Sequence, residues 1–466
     1  MLHPSVFCPS SLRALSLRRA LLALSIAALP AVTHAQLSVS WLTQYGSAAG
    51  DEARGVVVDS TGQIWVAGST FGNLGGTSQN GQGNLFLSRL SSNGTVDFTR
   101  QRGGTLSDAG TSVAVVGSSV FAGGETSSST FDGATALGNQ DGLIVRYDLS
   151  GVWSTGGTKR LGSSLAEYMP AMAGNATNLL VAGTTSKAFD GQTLIGGDDA
   201  YLSLRDNTGA LLWTRFVGTA AIDNGQGAAL DSAGNAYVTG TTHSAFPGFT
   251  NPGSSDIFVA RYDSAGNRTL LQQFGSNGTD SAWDVEVDLS GNIYLTGSTQ
   301  GNFLGQTQNG LGDAFVMKLN SSGVPLWTRL LGGNQDDGGN SLAVDGAGNV
   351  WVGGYTTSSF AGHTLAGDVD GFVAEYDQNG NLLGTTFLSS PGIEGVNGIT
   401  VGPDGAVYAV GNTTDVLGGA SAGDSDAFVA KIVPEPSTAL LLLLAGAGMT
   451  KVRRRRNGGR ESGMAF

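Results

Sequence analysis

Acidic side chains recur in two rows with a spacing of about 57 residues, and carboxylate oxygens are the ligands that Ca²⁺ prefers. The first row, called the Asx row here, comprises Asn84, Asp141, Asp199, Asp256, Asp313, Asp370 and Asp426. The second acidic row comprises Asp51, Asp108, Glu167, Asp223, Asp280, Asp336 and Glu394. Since no Asp-x-Asp-x-Asp loop with a closing Glu occurs, we expect these carboxylates mainly to accept backbone N–H bonds and fix turns. A Ca²⁺ site remains the alternative, and its candidates are the local pairs Asp198 with Asp199, Asp368 with Asp370, and Asp424 with Asp426.

Other reactive groups are scarce. His243 and His363 are the only histidines after residue 35, and we expect both to be solvated, because zinc takes three or four ligands. The single cysteine, Cys8, lies in a predicted leader, so the mature chain would have no thiol chemistry and no disulfide. The sequence contains no HExxH, GxSxG, Walker or CxxC motif. An acid/base pair of carboxylates stays open, because acids are so numerous that any spacing can be found.

Tryptophans also recur at fixed positions. Trp41, Trp153, Trp213 and Trp327 share one strand position, and Trp65 and Trp351 share another. Exposed aromatic side chains can serve as platforms for sugars. A repeated position inside a sheet instead favours packing between repeats, which is the role predicted here.

Composition restricts the class of protein. The 466 residues include 74 Gly and 11 Pro, and 13% are charged, about half the usual quarter. Apolar content is ordinary at 40%, so a turn-rich β protein fits better than a helical, collagenous or disordered chain. The region between the terminal segments carries a net charge of about −20, which disfavours nucleic acid and anionic lipid as partners.

The elements that carry these residues repeat. The Asx row opens apolar segments such as NLFLSRL, DGLIVRY and DAFVMKL, and a second series of segments such as VAGST contains an aligned glycine. Those glycines are Gly68, Gly124, Gly183, Gly240, Gly297, Gly354 and Gly411. Seven copies of about 57 residues fill residues 36–433. Each copy is predicted to form four strands separated by Asn, Asp and Gly turns, with both sheet faces covered.

A sheet packed on both faces by copies of itself indicates a β-propeller. The repeats resemble the SBBP family of seven-bladed β-propeller repeats over residues 36–433. The last copy lacks its outer strand, and the segment WLTQYG from Trp41 to Gly46 resembles the outer strands of other copies. We therefore predict an all-β, seven-bladed β-propeller of four-stranded antiparallel blades, closed by the N-terminal strand joining the last blade. An open β-solenoid is the alternative.

The two ends predict export. Residues 1–35 read as a signal peptide that is cut after Ala35. Residues 434–466 begin with Pro434, Glu435 and Pro436, continue as a short apolar transmembrane helix and end in a basic tail with Arg453, Arg454, Arg455 and Arg456. This order resembles the PEP-CTERM sorting signal. The resemblance implies processing by an exosortase in a Gram-negative bacterium, with an inner-membrane anchor before processing and the cell surface or extracellular matrix afterwards.

These observations predict an exported, non-catalytic propeller that is structural, adhesive or ligand-binding in association with exopolysaccharide and needs no cofactor. The alternatives are a polysaccharide lyase or hydrolase with carboxylates at the central channel, and a Ca²⁺-stabilised binding module. The channel residues should separate the first two. A structural role predicts that they repeat from blade to blade, whereas an active site should break the symmetry on one side with several unmatched polar groups.

Overall fold

Seven antiparallel sheets of four strands each arise from the seven repeats. The computed structural model describes residues 37–76 and 81–434, and these ranges contain strands and turns but no helix. We number the sheets as blades I to VII in chain order. The fold is therefore the all-β, seven-bladed propeller predicted from the repeats.

The strands of blades I to III, with a small extra hairpin β8–β9 in blade II, have the following bounds. Blade I contains β2 (Asp51–Val58), β3 (Ile64–Thr70), β4 (Asn84–Leu90) and β5 (Val96–Arg102). Blade II contains β6 (Asp108–Val116), β7 (Ser119–Thr126), β8 (Thr130–Phe131), β9 (Ala134–Thr135), β10 (Asp141–Asp148) and β11 (Trp153–Leu161). Blade III contains β12 (Glu167–Gly174), β13 (Asn178–Thr185), β14 (Asp199–Asp206) and β15 (Leu211–Val217).

Blades IV to VI repeat the same order. Blade IV contains β16 (Asp223–Leu230), β17 (Ala236–Thr242), β18 (Asp256–Tyr262) and β19 (Arg268–Phe274). Blade V contains β20 (Asp280–Val287), β21 (Ile293–Thr299), β22 (Asp313–Leu319) and β23 (Pro325–Leu331). Blade VI contains β24 (Asp337–Val344), β25 (Val350–Thr356), β26 (Asp370–Tyr376) and β27 (Leu382–Leu388).

Blade VII is assembled from both ends of the described chain. Its strands are β28 (Glu394–Val401), β29 (Val407–Thr413), β30 (Asp426–Pro434) and β1 (Leu37–Tyr45). β1 pairs antiparallel with β30, with Trp41 opposite Lys431 and Gln44 opposite Phe428. The predicted closure by the N-terminal strand is confirmed. The first strands of the blades form the inner ring, in which each contacts the next and β28 contacts β2.

Hydrophobic clusters fill the spaces between neighbouring blades. One cluster joins Tyr237 and Ile257 of blade IV to Leu295 and Phe315 of blade V, and all four are at most 1% exposed. Burial of each such side chain stabilises the fold by about 1.5–3 kcal/mol. Because both faces of each sheet meet another blade, the middle strands are apolar at successive positions rather than at alternate ones.

The repeated tryptophans also join blades, as predicted. Trp213 Nε1 donates to the Ser264 carbonyl at 3.0 Å, and its neighbour Arg215 donates to the Gly266 carbonyl at 2.8 Å. Gly266 lies in the next blade's turn with φ +81°, where glycine is favoured, and a Cβ there would lie 2.9 Å from the Arg215 guanidinium and 3.1 Å from the Trp213 ring. Trp65 and Trp351 are 0% and 2% exposed inside the sheets.

The predicted terminal segments lie almost entirely outside the described residues. Ala35, Glu435, Pro436 and the arginines 453–456 are not described, and Pro434 is the last residue of β30. Within residues 37–76 and 81–434 no helix could span a bilayer.

Candidate functional site: the central channel

Every inner strand carries a β-bulge at the same place. In blade I the pairing of β2 with β3 skips Arg54, because Ala53 pairs with Gly68 and Gly55 with Ala67. The bulge pushes the Glu52 carbonyl so close to Gly68 that a Cβ on Gly68 would overlap its oxygen. The same crowding occurs at the other glycines of the repeated series, namely Gly124, Gly183, Gly240, Gly297, Gly354 and Gly411. The glycine series therefore marks seven bulges, and a bulge re-aims the side chain that it releases from the ladder.

The bulged residues line a cavity of about 590 Å³ inside the ring of inner strands, a size typical of sites for small ligands. All seven are half-buried. In blade order they are Arg54, Thr111, Pro170, Gln226, Trp283, Asn340 and Asn397. The bulge repeats sevenfold, whereas the side chain that it presents differs between most blades, and only blades VI and VII share the same residue type, Asn.

Polar contacts fix one wall of this cavity. Arg54 forms an ion pair with Glu52 at 2.9 Å. The Asn397 amide donates to Glu52 Oε1 at 3.2 Å and to the Ala53 carbonyl at 3.1 Å. Glu125 accepts the Met169 N–H at 3.1 Å, and burial raises the pKa of its carboxyl. This wall presents a salt bridge and a second acid, Glu125.

Two further acids stand on β20, on the blade V side. Asp284 accepts hydrogen bonds from Ser341 Oγ and the Leu342 N–H, both at 2.9 Å. Burial raises the pKa of Asp284 to about 6 in spite of these bonds. Burial, assisted by the charge of Asp284, raises the pKa of Glu286 to about 8. Near neutral pH the pair therefore holds an ionised Asp284 beside a protonated Glu286.

No other blade repeats this acid pair. The residues equivalent to Asp284 are Gly55, Ser112, Ala171, Gly227, Ser341 and Gly398. Those equivalent to Glu286 are Val57, Ala114, Ala173, Ala229, Ala343 and Thr400. The inner strands also approach closely here, because a Cβ on Gly227 would lie 2.7 Å from the Asp284 Cα. The lining of the channel therefore does not repeat from blade to blade, which is the outcome expected of an active site rather than of a purely structural ring.

An aromatic surface completes the lining. Trp283 is half-buried and stacks on Tyr355 with ring centroids 6.4 Å apart and an interplanar angle of 23°. Gly338 makes room for this stack, since a Cβ there would lie 2.6 Å from the Trp283 ring. The ring is thereby held beside the acids of β20 and the amide of Asn340 in the cavity wall.

The acidic rows singled out in the sequence lie between the blades rather than in the channel. Asx-row residues begin the third strand of each blade. Second-row acids begin the inner strands, except that Asp337 and not Asp336 takes this place in blade VI. The prediction of Asp336 was wrong. The sequence alone does not distinguish two adjacent aspartates. In the structure only Asp337 accepts the Gly333 N–H, at 2.8 Å, as the buried acids of the other blades accept theirs.

These carboxylates fix loops through one repeated bond. Each second-row acid of the structure accepts the backbone N–H four residues earlier, at 2.5–2.9 Å. Five Asx-row residues do the same, namely Asp141, Asp199, Asp313, Asp370 and Asp426. Asp368 and Asp424 are exposed, and Asp198 is only half-buried. Within the described ranges no three His, Cys, Asp or Glu residues form a group that could hold a metal ion.

The two histidines differ. His243 is exposed, as predicted, with Nδ1 3.1 Å from the Ile222 carbonyl. The prediction of a solvated His363 is wrong. Its Nε2 lies 2.6 Å from Asp370 Oδ2, and its ring stacks on Phe387 with centroids 3.9 Å apart. His363 serves as a partner for a buried acid.

The fold and the channel define a seven-bladed β-propeller whose central cavity is asymmetric. Three of its repeats match the SBBP family, described as a beta-propeller repeat, at residues 212–247, 271–303 and 326–361. These matches identify the repeat type predicted from the sequence. The family match does not extend to the terminal segments.

Relatives are distant. A stretch of 165 residues is 28% identical to the regulatory protein FlaEY of Caulobacter vibrioides, covering 32% of this chain but 17% of that protein. Virginiamycin B lyase from Staphylococcus aureus is 10% identical, with 85% of this chain and 99% of that chain covered and a TM-score of 0.43. The propeller domain of the Trilobed protease from Pyrococcus furiosus is 9% identical, with 84% and 96% covered and a TM-score of 0.42. The two solved structures are similar in fold alone.

Proposed function

We propose that this protein is an exported propeller that binds a neutral saccharide segment in its central channel. One observation carries the proposal: seven equivalent bulges, built by one repeated backbone device, present mostly different side chains to a common cavity of about 590 Å³. A purely structural ring has no need of such differences. A ligand that lacks sevenfold symmetry does need them, because each of its faces meets different groups.

The chemistry of the lining selects the class of ligand. Trp283 offers an aromatic face, and Gln226, Asn340 and Asn397 offer amides, a combination suited to the apolar faces and hydroxyls of a sugar. The acids of the channel and a body charge of about −20 repel polyanions. We therefore infer a neutral saccharide rather than a uronate-rich or phosphorylated one, in keeping with the proposed association with exopolysaccharide.

Calorimetric titration with a panel of neutral and uronate-containing oligosaccharides tests this proposal. We expect a neutral member to bind and the Trp283→Ala variant to bind it at least about tenfold more weakly, a loss of about 1.4 kcal/mol. Trp153→Ala, the same change on the outer strand β11, is the matched control and should bind as the wild type does. Equal affinity for both variants and the wild type would remove the channel as the site.

The acid pair of β20 favours a second candidate function, cleavage of the bound saccharide. A protonated Glu286 beside an ionised Asp284 provides an acid and a base near neutral pH. Mass analysis of the oligosaccharides after the same incubations separates the two functions. Cleavage products that disappear in Glu286→Gln would establish the enzyme, whereas binding without products supports the non-catalytic function.

We further propose that export and sorting follow the terminal signals, with an exosortase as processing partner and a membrane anchor before processing. The support is the order of Pro434, Glu435 and Pro436, the apolar stretch and the arginines 453–456. In a host with an exosortase, we expect the intact mass of the exported protein to lack the tail. Replacement of Glu435 by Ala should leave the tail in place, and an unshortened wild type in that host would refute the sorting proposal.

A further inference from the structure

Between neighbouring blades, the Asx-row residue of one blade faces the second-row acid of the next across a loop glycine. We call each such place a seam. At the V/VI seam, a Cβ on Gly332 would lie 2.9 Å from Asp313 Oδ1 and 2.6 Å from Asp337 Oδ2. At the III/IV seam, a Cβ on Gly218 would lie 2.2 Å from Asp199 Oδ1 and 3.1 Å from Asp223 Oδ2. Both pairs of acids are at most 1% exposed, so each seam brings two carboxyl groups together away from water.

Other seams supply a partner for the Asx-row acid. Its usual source is one position near the end of the outer strand, and the donors there are Arg160 to Asp141 at 2.8 Å, Gln273 to Asp256 at 2.9 Å and Gln44 to Asp426 at 2.8 Å. In blade VI the outer-strand residue is Phe387, and His363 contacts Asp370 instead. In blade I the Asx-row residue is Asn84, which carries no charge. In five blades the Asx-row residue therefore either has a side-chain donor or is uncharged.

Blades III and V have an aspartate in the Asx row but no donor at the outer-strand position. Phe216 and Leu330 occupy the outer-strand position, as their pairing with Tyr201 and Phe315 shows. Asp199 Oδ2 and Asp313 Oδ2 consequently accept only the backbone N–H four residues earlier, and Oδ1 of each is buried without a hydrogen-bond partner. A buried carboxylate that has no side-chain donor and faces a second carboxylate is unfavourable, and protonation is the usual way in which this cost is removed.

We propose that the III/IV and V/VI seams each take up a proton in mild acid, so that the propeller is stabilised by acid and weakened between these blades as the pH rises. Other titratable groups lie beside each seam. At the V/VI seam Asp336 adds negative charge, and Tyr355 lies close to Asp337 without bringing positive charge. At the III/IV seam Asp198 adds negative charge beside Asp199, whereas the exposed His243 favours the ionised form of Asp223.

A metal ion would be a poorer occupant than a proton. Ca²⁺ needs six to eight oxygens, and each seam offers two carboxylates. Asp223 Oδ2 already accepts two bonds from Thr219, its N–H at 2.6 Å and its hydroxyl at 2.9 Å. One proton removes the repulsion without any further ligand.

The direction of the pH effect follows from the folded state. Burial raises the pKa of Asp199, Asp223 and Asp313, and it raises that of Asp337 to about 6. A raised pKa contributes stability that is complete below the unfolded value of about 3.9 and is lost as the pH rises through the folded value. The window for Asp337 therefore runs from about pH 4 to above pH 6.

Thermal unfolding of the full chain at pH 5 and pH 8 tests the proposal, with the difference between variant and wild type as the readout. Asp313→Asn copies Asn84 of blade I. We expect its Tm to match the wild type at pH 5 and to exceed it by about 2 °C at pH 8. Gln273→Leu, which gives blade IV the outer-strand residue of blade V, is the converse control, and it should lower the Tm more at pH 8 than at pH 5.

A second variant covers the case in which Asp313→Asn does not fold. Leu330→Gln places a donor at the position of Gln273 and should raise the Tm at pH 8 relative to pH 5. A variant effect that is equal at both pH values would overturn the proposal. So would a Tm of the wild type at pH 8 that rises with added Ca²⁺ while that of Asp313→Asn does not, because the seam would then hold a cation.

Discussion

Removal of β1 by deletion of residues 37–45 is expected to abolish cooperative folding of the propeller. This strand pairs with β30 along its whole length, from Leu37 opposite Pro434 to Tyr45 opposite Ala427. Its loss opens an edge on blade VII and removes the amide of Gln44 from Asp426, which is completely buried. The combined loss should exceed the whole stability of a typical domain, about 5–15 kcal/mol. Circular dichroism and calorimetry would then show no cooperative transition.

A chain that begins at Leu37 is the control and should unfold cooperatively. A synthetic peptide of residues 37–45, added to the deleted chain, should restore the transition, since the β30 edge is its template. The same peptide with Thr43→Pro should not, because Thr43 lies opposite Val429 in the middle of the pairing. A cooperative transition in the deleted chain without peptide would contradict closure as the source of stability.

The architecture was predictable because the same pattern of strands and turns recurs in seven copies of the repeat. Seven copies of the Asx segment fix the number of blades, and the resemblance of the segment at Trp41 to the outer strands fixes the closure. The glycine series also indicates where the bulges of the inner strands lie. Gly68 and its equivalents are required by the carbonyl of the bulge, so the bulged residue could have been located by counting along the inner strand from the repeat.

The site itself could not be predicted in the same way, because it consists of what does not repeat. Arg54, Trp283 and Glu286 have no counterparts in other blades, and in one sequence a difference between repeats looks like drift. Only the ring of inner strands shows that these residues share a cavity. The prediction for His363 was wrong for a related reason. Its imidazole reaches Asp370 because the ring stacks on Phe387, which lies on another strand.

The channel and the seams place acids in opposite situations. Asp284 and Glu286 line a cavity, where a ligand can meet them, whereas Asp313 and Asp337 are sealed between blades. Burial raises the pKa in both places, but only the first pair can act on a ligand. A raised pKa alone therefore does not locate a site in this protein, and the cavity supplies the missing criterion.

At the II/III seam, Arg160→Leu is expected to destabilise the protein by about 3–5 kcal/mol. Arg160 donates to Asp141 Oδ2 at 2.8 Å and to the Ser128 carbonyl at 2.6 Å, and the two side chains of the ion pair are 3% and 0% exposed. Loss of the guanidinium leaves a buried negative charge and an unsatisfied carbonyl. Denaturant unfolding of the variant at pH 7 measures the loss.

Blade I supplies the rescue, because Asn84 and Gln101 occupy there the positions of Asp141 and Arg160. The double variant Asp141→Asn/Arg160→Gln should recover most of the lost stability, since its new pair is the neutral one that the fold already accepts in blade I. A double variant as unstable as the single one would show that Arg160 acts through packing and not through its charge.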